Sequence, residues 1–193
     1  VLYFSDSDIS ESARICKENN ISDNPELFYI GMHIGSNDFL SAKRWSIKKF
    51  DELIEMIKKK YPAINIILFG GRNEYDYSLG INPNNAINLT GKTGLRAAGL
   101  IIKKCRAFIS NDSGLMHLAA AADIPVIAIF GPTIISKNRP YSDKSTVLTA
   151  GLDCQPCYRY NKPIDCKKKF QCIEDISVET VWKELEKIIQ PKN

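Results

Sequence analysis

Two short apolar segments, Ala107 to Ser110 and Val126 to Phe130, are separated by an interval that leaves room for one small helix, and this spacing decides most of what the chain can become. The interval reads as a polar turn, Asn111 to Gly114, followed by an alanine-rich helix, Leu115 to Ala122. Strand, helix and strand in so short a span form a βαβ crossover, whose two strands run parallel. Parallel strands bring their C-terminal ends and the N-terminus of the intervening helix to one edge of the sheet, where open α/β sheets hold ligands.

The same alternation extends upstream. Leu27 to Ile34, Ile64 to Phe69 and Ala86 to Leu89 are further apolar runs. Helical patterns follow Ser46, with Ile47, Phe50, Leu53, Ile54 and Ile57 on one face, and run from Gly94 to Lys104. Strands of roughly four to eight residues alternating with helices predict an α/β fold, a Rossmann-like parallel sheet with helices on both faces. At 193 residues and 44% hydrophobic content a single domain spanning 1–193 is expected. Within it, 1–26 is a linker or the start of the domain, 27–150 the α/β core, 151–176 a cysteine-rich loop and 177–190 a C-terminal helix. Ser46 and Ser177 are expected to cap their helices.

The strand ends carry the chemistry. Gly35-Ser36, which runs on into Asn37-Asp38, then Gly70-Gly71, Asn111 to Gly114 and Gly131 to Thr133 all fall on the same edge, and their convergence points to a nucleotide site. Gly114 permits close backbone approach, and the first N–H groups of the helix lack internal partners, so phosphate is the natural guest. Asp112 can accept hydrogen bonds from sugar hydroxyls, and Ser113 can cap the helix or donate to a phosphate oxygen. Lys43 and Arg44 supply cations before the helix that follows Ser46. The plainer reading makes Asn111 to Ser113 caps, Lys43 and Arg44 solvated charges, Trp45 core and His117 a core histidine. Gly91-Lys92-Thr93 lacks the earlier glycine of a P-loop. Asp6-Ser7-Asp8 has the letters of a short acidic metal motif, although acidic residues opening a helix are expected from capping.

Composition narrows the class. A net charge of +4 is mild and does not mark a nucleic-acid protein. No apolar run reaches the roughly 18 residues of a membrane span, and the opening Val1-Leu-Tyr-Phe does not read as a secretory signal. The chain lacks an initiator Met and reads as a fragment or processed form. Four of its six cysteines, Cys154, Cys157, Cys166 and Cys172, form a C-x2-C-x8-C-x5-C array. They could hold a structural zinc, stay as free or buried thiols, or pair as disulfides. Lys167 to Lys169, interleaved with Tyr158, Tyr160 and Phe170, raises the alternative of a zinc-stapled nucleic-acid-binding module.

Lys43-Arg44-Trp45, Gly70-Gly71 with Glu74, Ile87 to Thr93, Asn111-Asp-Ser-Gly-Leu-Met-His117 and Phe130-Gly-Pro-Thr133, taken in order, resemble glycosyltransferase family 9. Its best-known members are the ADP-heptose:lipopolysaccharide heptosyltransferases, built from two Rossmann-like domains of the GT-B type. The chain is similar to the C-terminal, donor-binding half. The resemblance implies an inverting, metal-independent transfer that requires no cofactor, with the catalytic base in an N-terminal acceptor domain that is absent here. It implies an ADP-heptose-like donor, a lipopolysaccharide core acceptor, no nucleic-acid partner, and a cytoplasmic location at the inner face of the inner membrane. By position, Ser36 and Lys43 meet the diphosphate, Glu74 lies near the base or ribose, and Asp112 takes sugar hydroxyls. Gly114, Met116 and His117 line the diphosphate at the helix entrance, beside Ser113. The remaining alternative is a sugar-nucleotide-binding module without catalysis.

Overall fold

The computed structural model describes residues 2–36, 42–158 and 165–190. Asn37, Asp38 and Tyr160 lie outside the described residues. Six parallel strands form one sheet in the order β3-β2-β1-β4-β5-β6: β1 (Phe28–His33), β2 (Ile64–Phe69), β3 (Ile87–Asn88), β4 (Ala107–Asn111), β5 (Val126–Ile129) and β6 (Ser145–Leu148). The order reverses between β1 and β4, the switch point at which open α/β sheets leave a crevice beyond the strand ends.

Because side chains alternate along a strand, each strand feeds two cores. Ile30 and Met32 of β1 with Ile109 of β4 and Ile127 of β5 face α2 (Ile47–Lys60) and α8 (Val178–Ile189). Phe69, Phe108, Val126 and Ala128 face α1 (Asp6–Glu18), α4 (Leu95–Ile102) and α5 (Gly114–Ala121). Both faces are therefore covered, as the continuous apolar strand pattern requires. The described residues also include the 3-10 turn Arg72–Glu74 and the short helices α3 (Tyr75–Ser78), α6 (Ile135–Asn138) and α7 (Gln171–Glu174).

Ahead of the first strand, α1 is a 13-residue helix that buries Ile15 and Cys16. Ser5 and Asp8 form its capping box, with the Asp8 carboxylate accepting from the Ser5 N–H at 2.8 Å. That use of Asp8 settles the acidic triplet as a cap. Ser177 accepts from the Thr180 N–H as expected. Ser46 stands at the N-cap of α2 but makes no side-chain cap bond. Instead the preceding Trp45 is fixed from outside the helix, its N–H to Asn111 Oδ1 at 3.0 Å and its indole N–H to the Ile176 carbonyl at 2.8 Å.

Candidate functional site

The C-terminal strand ends open onto a cavity of about 660 Å³. Asn111, at the end of β4 and next to the cavity residue Asp112, is wholly buried. The Asn111 amide donates to the carbonyls of Ile34 and Gly35 at 3.0 and 2.9 Å, while its oxygen accepts from Trp45. One side chain thus joins the ends of β1 and β4 to the start of α2. Sequence reading left Asn111 between cap and ligand contact, and the structure makes it a tie between elements.

On one wall, His33 at the end of β1 contacts both Glu74 oxygens through Nε2, at 3.2 and 3.1 Å, and Ser113 Oγ through Nδ1 at 2.9 Å. Glu74 also accepts from the Gly71 N–H at 2.8 Å. Burial pushes the Glu74 carboxyl up, but the hydrogen bond from His33, the charge His33 carries when protonated, the Gly71 N–H and the charge of Arg44 outweigh it and hold it below the usual glutamate value. An ionised carboxylate only accepts, so His33 Nε2 carries a hydrogen. Ser113 in turn caps α5, accepting from the Met116 N–H at 3.4 Å.

Across the cavity Lys43 Nζ lies 2.8 Å from Asp112 Oδ2, with both side chains largely buried, at 14% and 6% exposure. Asn138 of α6 donates to the same Asp112 oxygen at 3.4 Å. Tyr158 places its ring 5.8 Å from the Lys43 ammonium. The segment bearing Tyr158 is held over the strand ends by the Cys157 and Tyr158 N–H groups, both 3.0 Å from the Pro132 carbonyl. Arg44 turns away from the ligand role, donating to the Ser36 carbonyl at 3.0 Å and stacking 5.2 Å from the Tyr77 ring.

Ser36, Lys43, Glu74, Asp112, Ser113, Gly114 and His117 all line this one cavity. His117 is exposed there and is not a core histidine. Met116 is a correction: its side chain is fully buried with Ala119 and Ala120 in the core beneath the sheet, and only its backbone N–H faces the helix entrance. Sequence reading missed His33, Thr93, Asn138 and Tyr158. A signal existed for His33, the one strongly polar side chain in the β1 run and the residue at its C-terminal end.

The zinc expectation is not met by the ligands present. Cys154, Cys157, Cys166 and Cys172 are free thiols, and among the described residues no three metal-ligating side chains converge. Cys172 is buried beside Ile173, where burial and the neighbouring thiols push its pKa up to about 11. Cys166 Sγ is occupied locally, accepting from the Phe170 N–H at 3.2 Å. The zinc-stapled nucleic-acid module loses its geometric support with them. Among the described residues no helix is long and apolar enough to cross a membrane.

Residues 4–168 match the family model for glycosyltransferase family 9 (heptosyltransferase). Lipooligosaccharide heptosyltransferase 2 of Campylobacter jejuni is 31% identical over 170 residues, which cover 84% of this chain and 52% of that protein. Lipopolysaccharide heptosyltransferase 2 of Salmonella typhimurium is 30% identical over 189 residues, 93% of this chain and 51% of the relative. The fold superposes on E. coli ADP-heptose lps heptosyltransferase II with a TM-score of 0.74 at 28% identity, covering 97% of this chain and 52% of that one. A family 9 glycosyl transferase from Veillonella parvula shares the fold with a TM-score of 0.82 at 23% identity, over the same shares of the two chains. The chain spans about half the length of the curated relatives it matches.

Proposed function

The chain belongs to glycosyltransferase family 9, and from that premise we propose that it is the donor-binding half of an inverting, metal-independent heptosyltransferase of lipopolysaccharide core assembly. The donor is an ADP-heptose-like nucleotide sugar. The acceptor, the lipopolysaccharide core at the cytoplasmic face of the membrane, is held by an N-terminal domain that also supplies the catalytic base. This polypeptide alone binds donor without transferring sugar. One observation carries the reading: Lys43 and Asp112 meet inside a single cavity bounded by the N-terminus of α5.

The ion pair stands where diphosphate and first sugar adjoin. An arriving diphosphate takes Lys43, and the Asp112 oxygens then accept from sugar hydroxyls. Negative charge grows on the diphosphate as the glycosidic bond breaks, and Lys43 together with the N-terminal end of α5 is aimed at it. These groups supply positive potential without a metal ion. Leu95, Ala98 and Leu115 give the cavity apolar lining suited to the face of a nucleobase.

Titration with ADP and ADP-heptose by calorimetry tests the reading. Both bind, Lys43→Ala weakens both, and Asp112→Ala weakens ADP-heptose more than ADP. Equal losses for the two ligands would overturn the assigned roles, and no binding at millimolar ligand would overturn the donor site itself.

A further inference from the structure

The wall formed by Glu74, His33 and Ser113 holds a chain of hydrogen bonds whose directions depend on one proton. Glu74 is a carboxylate and fixes a hydrogen on His33 Nε2. With His33 neutral, Nδ1 is therefore a bare acceptor, and the Ser113 hydroxyl 2.9 Å away is the donor that faces it. Ser110 Oγ, 3.0 Å from Ser113 Oγ, gives its own hydrogen to the Asn111 carbonyl at 2.7 Å and is thus a second acceptor for the Ser113 hydroxyl, also on the protein side. In that state the hydroxyl at the entrance of α5 is directed into the protein and cannot donate to a ligand.

We propose that His33 is a positioning residue that takes up a proton when a diphosphate binds, reversing the hydrogen bond so that Ser113 donates to the ligand. The proposal rests on the donor-site reading above. A proton from solvent adds to Nδ1, Nδ1–H then donates to Ser113 Oγ, and the Ser113 O–H swings to a phosphate oxygen. No covalent bond changes, and the complex holds one proton more than its separated parts. The new imidazolium has its counterion in place, since Glu74 lies 3.1 Å from Nε2 with little access to solvent. The groups around His33 are Glu74 from the turn after β2, with Arg44 behind it, the Lys43–Asp112 pair across the cavity, and His117 on α5. An added cation at His33 also places positive charge behind the diphosphate, which favours its departure.

The test is calorimetry of the 193-residue chain with ADP-glucose, whose phosphates are both esterified and do not titrate near neutral pH. Titrations from pH 6 to 9, each in two buffers of different ionisation enthalpy, give the number of protons taken up. The expected result is net uptake approaching one proton per ligand in part of that range, with affinity there falling by up to about tenfold per pH unit as pH rises. His33→Asn abolishes the uptake and flattens the pH profile. Ser113→Ala abolishes it with His33 intact, which carries the test if His33→Asn fails to fold, and Ser113→Thr restores it. His117→Asn retains uptake. Binding with no linked proton at any pH, or uptake lost in His117→Asn and kept in His33→Asn, would overturn the relay while leaving the donor site standing. Failure of both ADP-glucose and ADP to bind would overturn the donor reading, and the relay with it.

Discussion

Gly35 and Gly114 border the same cavity and are glycine for opposite reasons. A Cβ on Gly35 would fall 1.8 Å from Glu74 Oε1, inside the carboxylate that His33 and Gly71 hold. Gly35→Ala must displace Glu74, so thermal denaturation should show a loss of about 1–3 kcal/mol, the cost of disturbing a charged buried hydrogen-bond set. A Cβ on Gly114 meets nothing within 4 Å. Gly114→Ala should therefore keep or slightly raise stability, by up to about 1 kcal/mol of helix propensity. In the same variant ADP should bind roughly tenfold more weakly, about 1.4 kcal/mol; undiminished ADP binding by calorimetry would mean that no ligand approaches that backbone. Glu74 adds a pH signature. Its folded value is depressed, so its contribution is present above the ordinary glutamate value of about 4.3 and is lost as pH falls through the folded value. Denaturation of Glu74→Gln should show a deficit at neutral pH that closes below about pH 4.3; a deficit constant with pH would mean that the hydrogen bonds from His33 and Gly71 do not hold the carboxylate ionised. Seven of the expected residues line the cavity because they stand in the segments that follow strand ends or lead into helices. Met116 does not, because helical rotation puts 116, 119 and 120 on one stripe and turns that stripe into the core. Asn138 and Tyr158 come from segments without periodicity, and only tertiary packing brings them to Asp112 and Lys43.

At the level of elements, α5 decides how well the phosphate end is aimed. It has eight residues, too few to persist in isolation, and no acidic residue in its first turn or basic residue in its last. Packing of Met116, Ala119 and Ala120 against the sheet holds it. Ala119 is fully buried, so Ala119→Leu should overpack this contact at a cost of about 1–3 kcal/mol, lowering the melting temperature by about 2–12 °C. Because the same helix presents Ser113 and Gly114, calorimetry should show ADP affinity falling with it; a destabilised variant with unchanged affinity would separate the helix from the site. Alanine spacing between two apolar strands was enough to read α5 from sequence. The start of α2 was not readable in the same way. Ser46 is a residue type that caps helices, yet Trp45, bound to Asn111 and Ile176 from distant parts of the chain, fixes that end. Local propensity identifies a helix, and long-range contacts choose its anchor.

Across the whole molecule, the sheet divides the core in two, and the cavity lies at the edge where both halves end. Cys105, at the junction of α4 and β4, is buried in one half, and burial raises its thiol far above the ordinary cysteine range. It reacts with a thiol reagent only when that half opens, whereas Cys154 and Cys157 are exposed and react at once. A ligand that binds only the folded state lowers the open population by a factor of one plus the ratio of ligand to Kd. ADP at a hundredfold excess over its Kd should thus slow Cys105 alkylation about a hundredfold, equivalent to about 2.7 kcal/mol, if opening is cooperative across the sheet. The switch-point strands β1 and β4, paired over four residues from Ile30 to His33, give a reason to expect that cooperativity, since His33 at the end of β1 lines the cavity and Asn111 at the end of β4 ties the two strand ends together. Protection of Cys105 by much less than this factor, measured by mass spectrometry under the same ligand excess, would mean that α4 opens alone and that the donor site and the core beneath it are energetically separate.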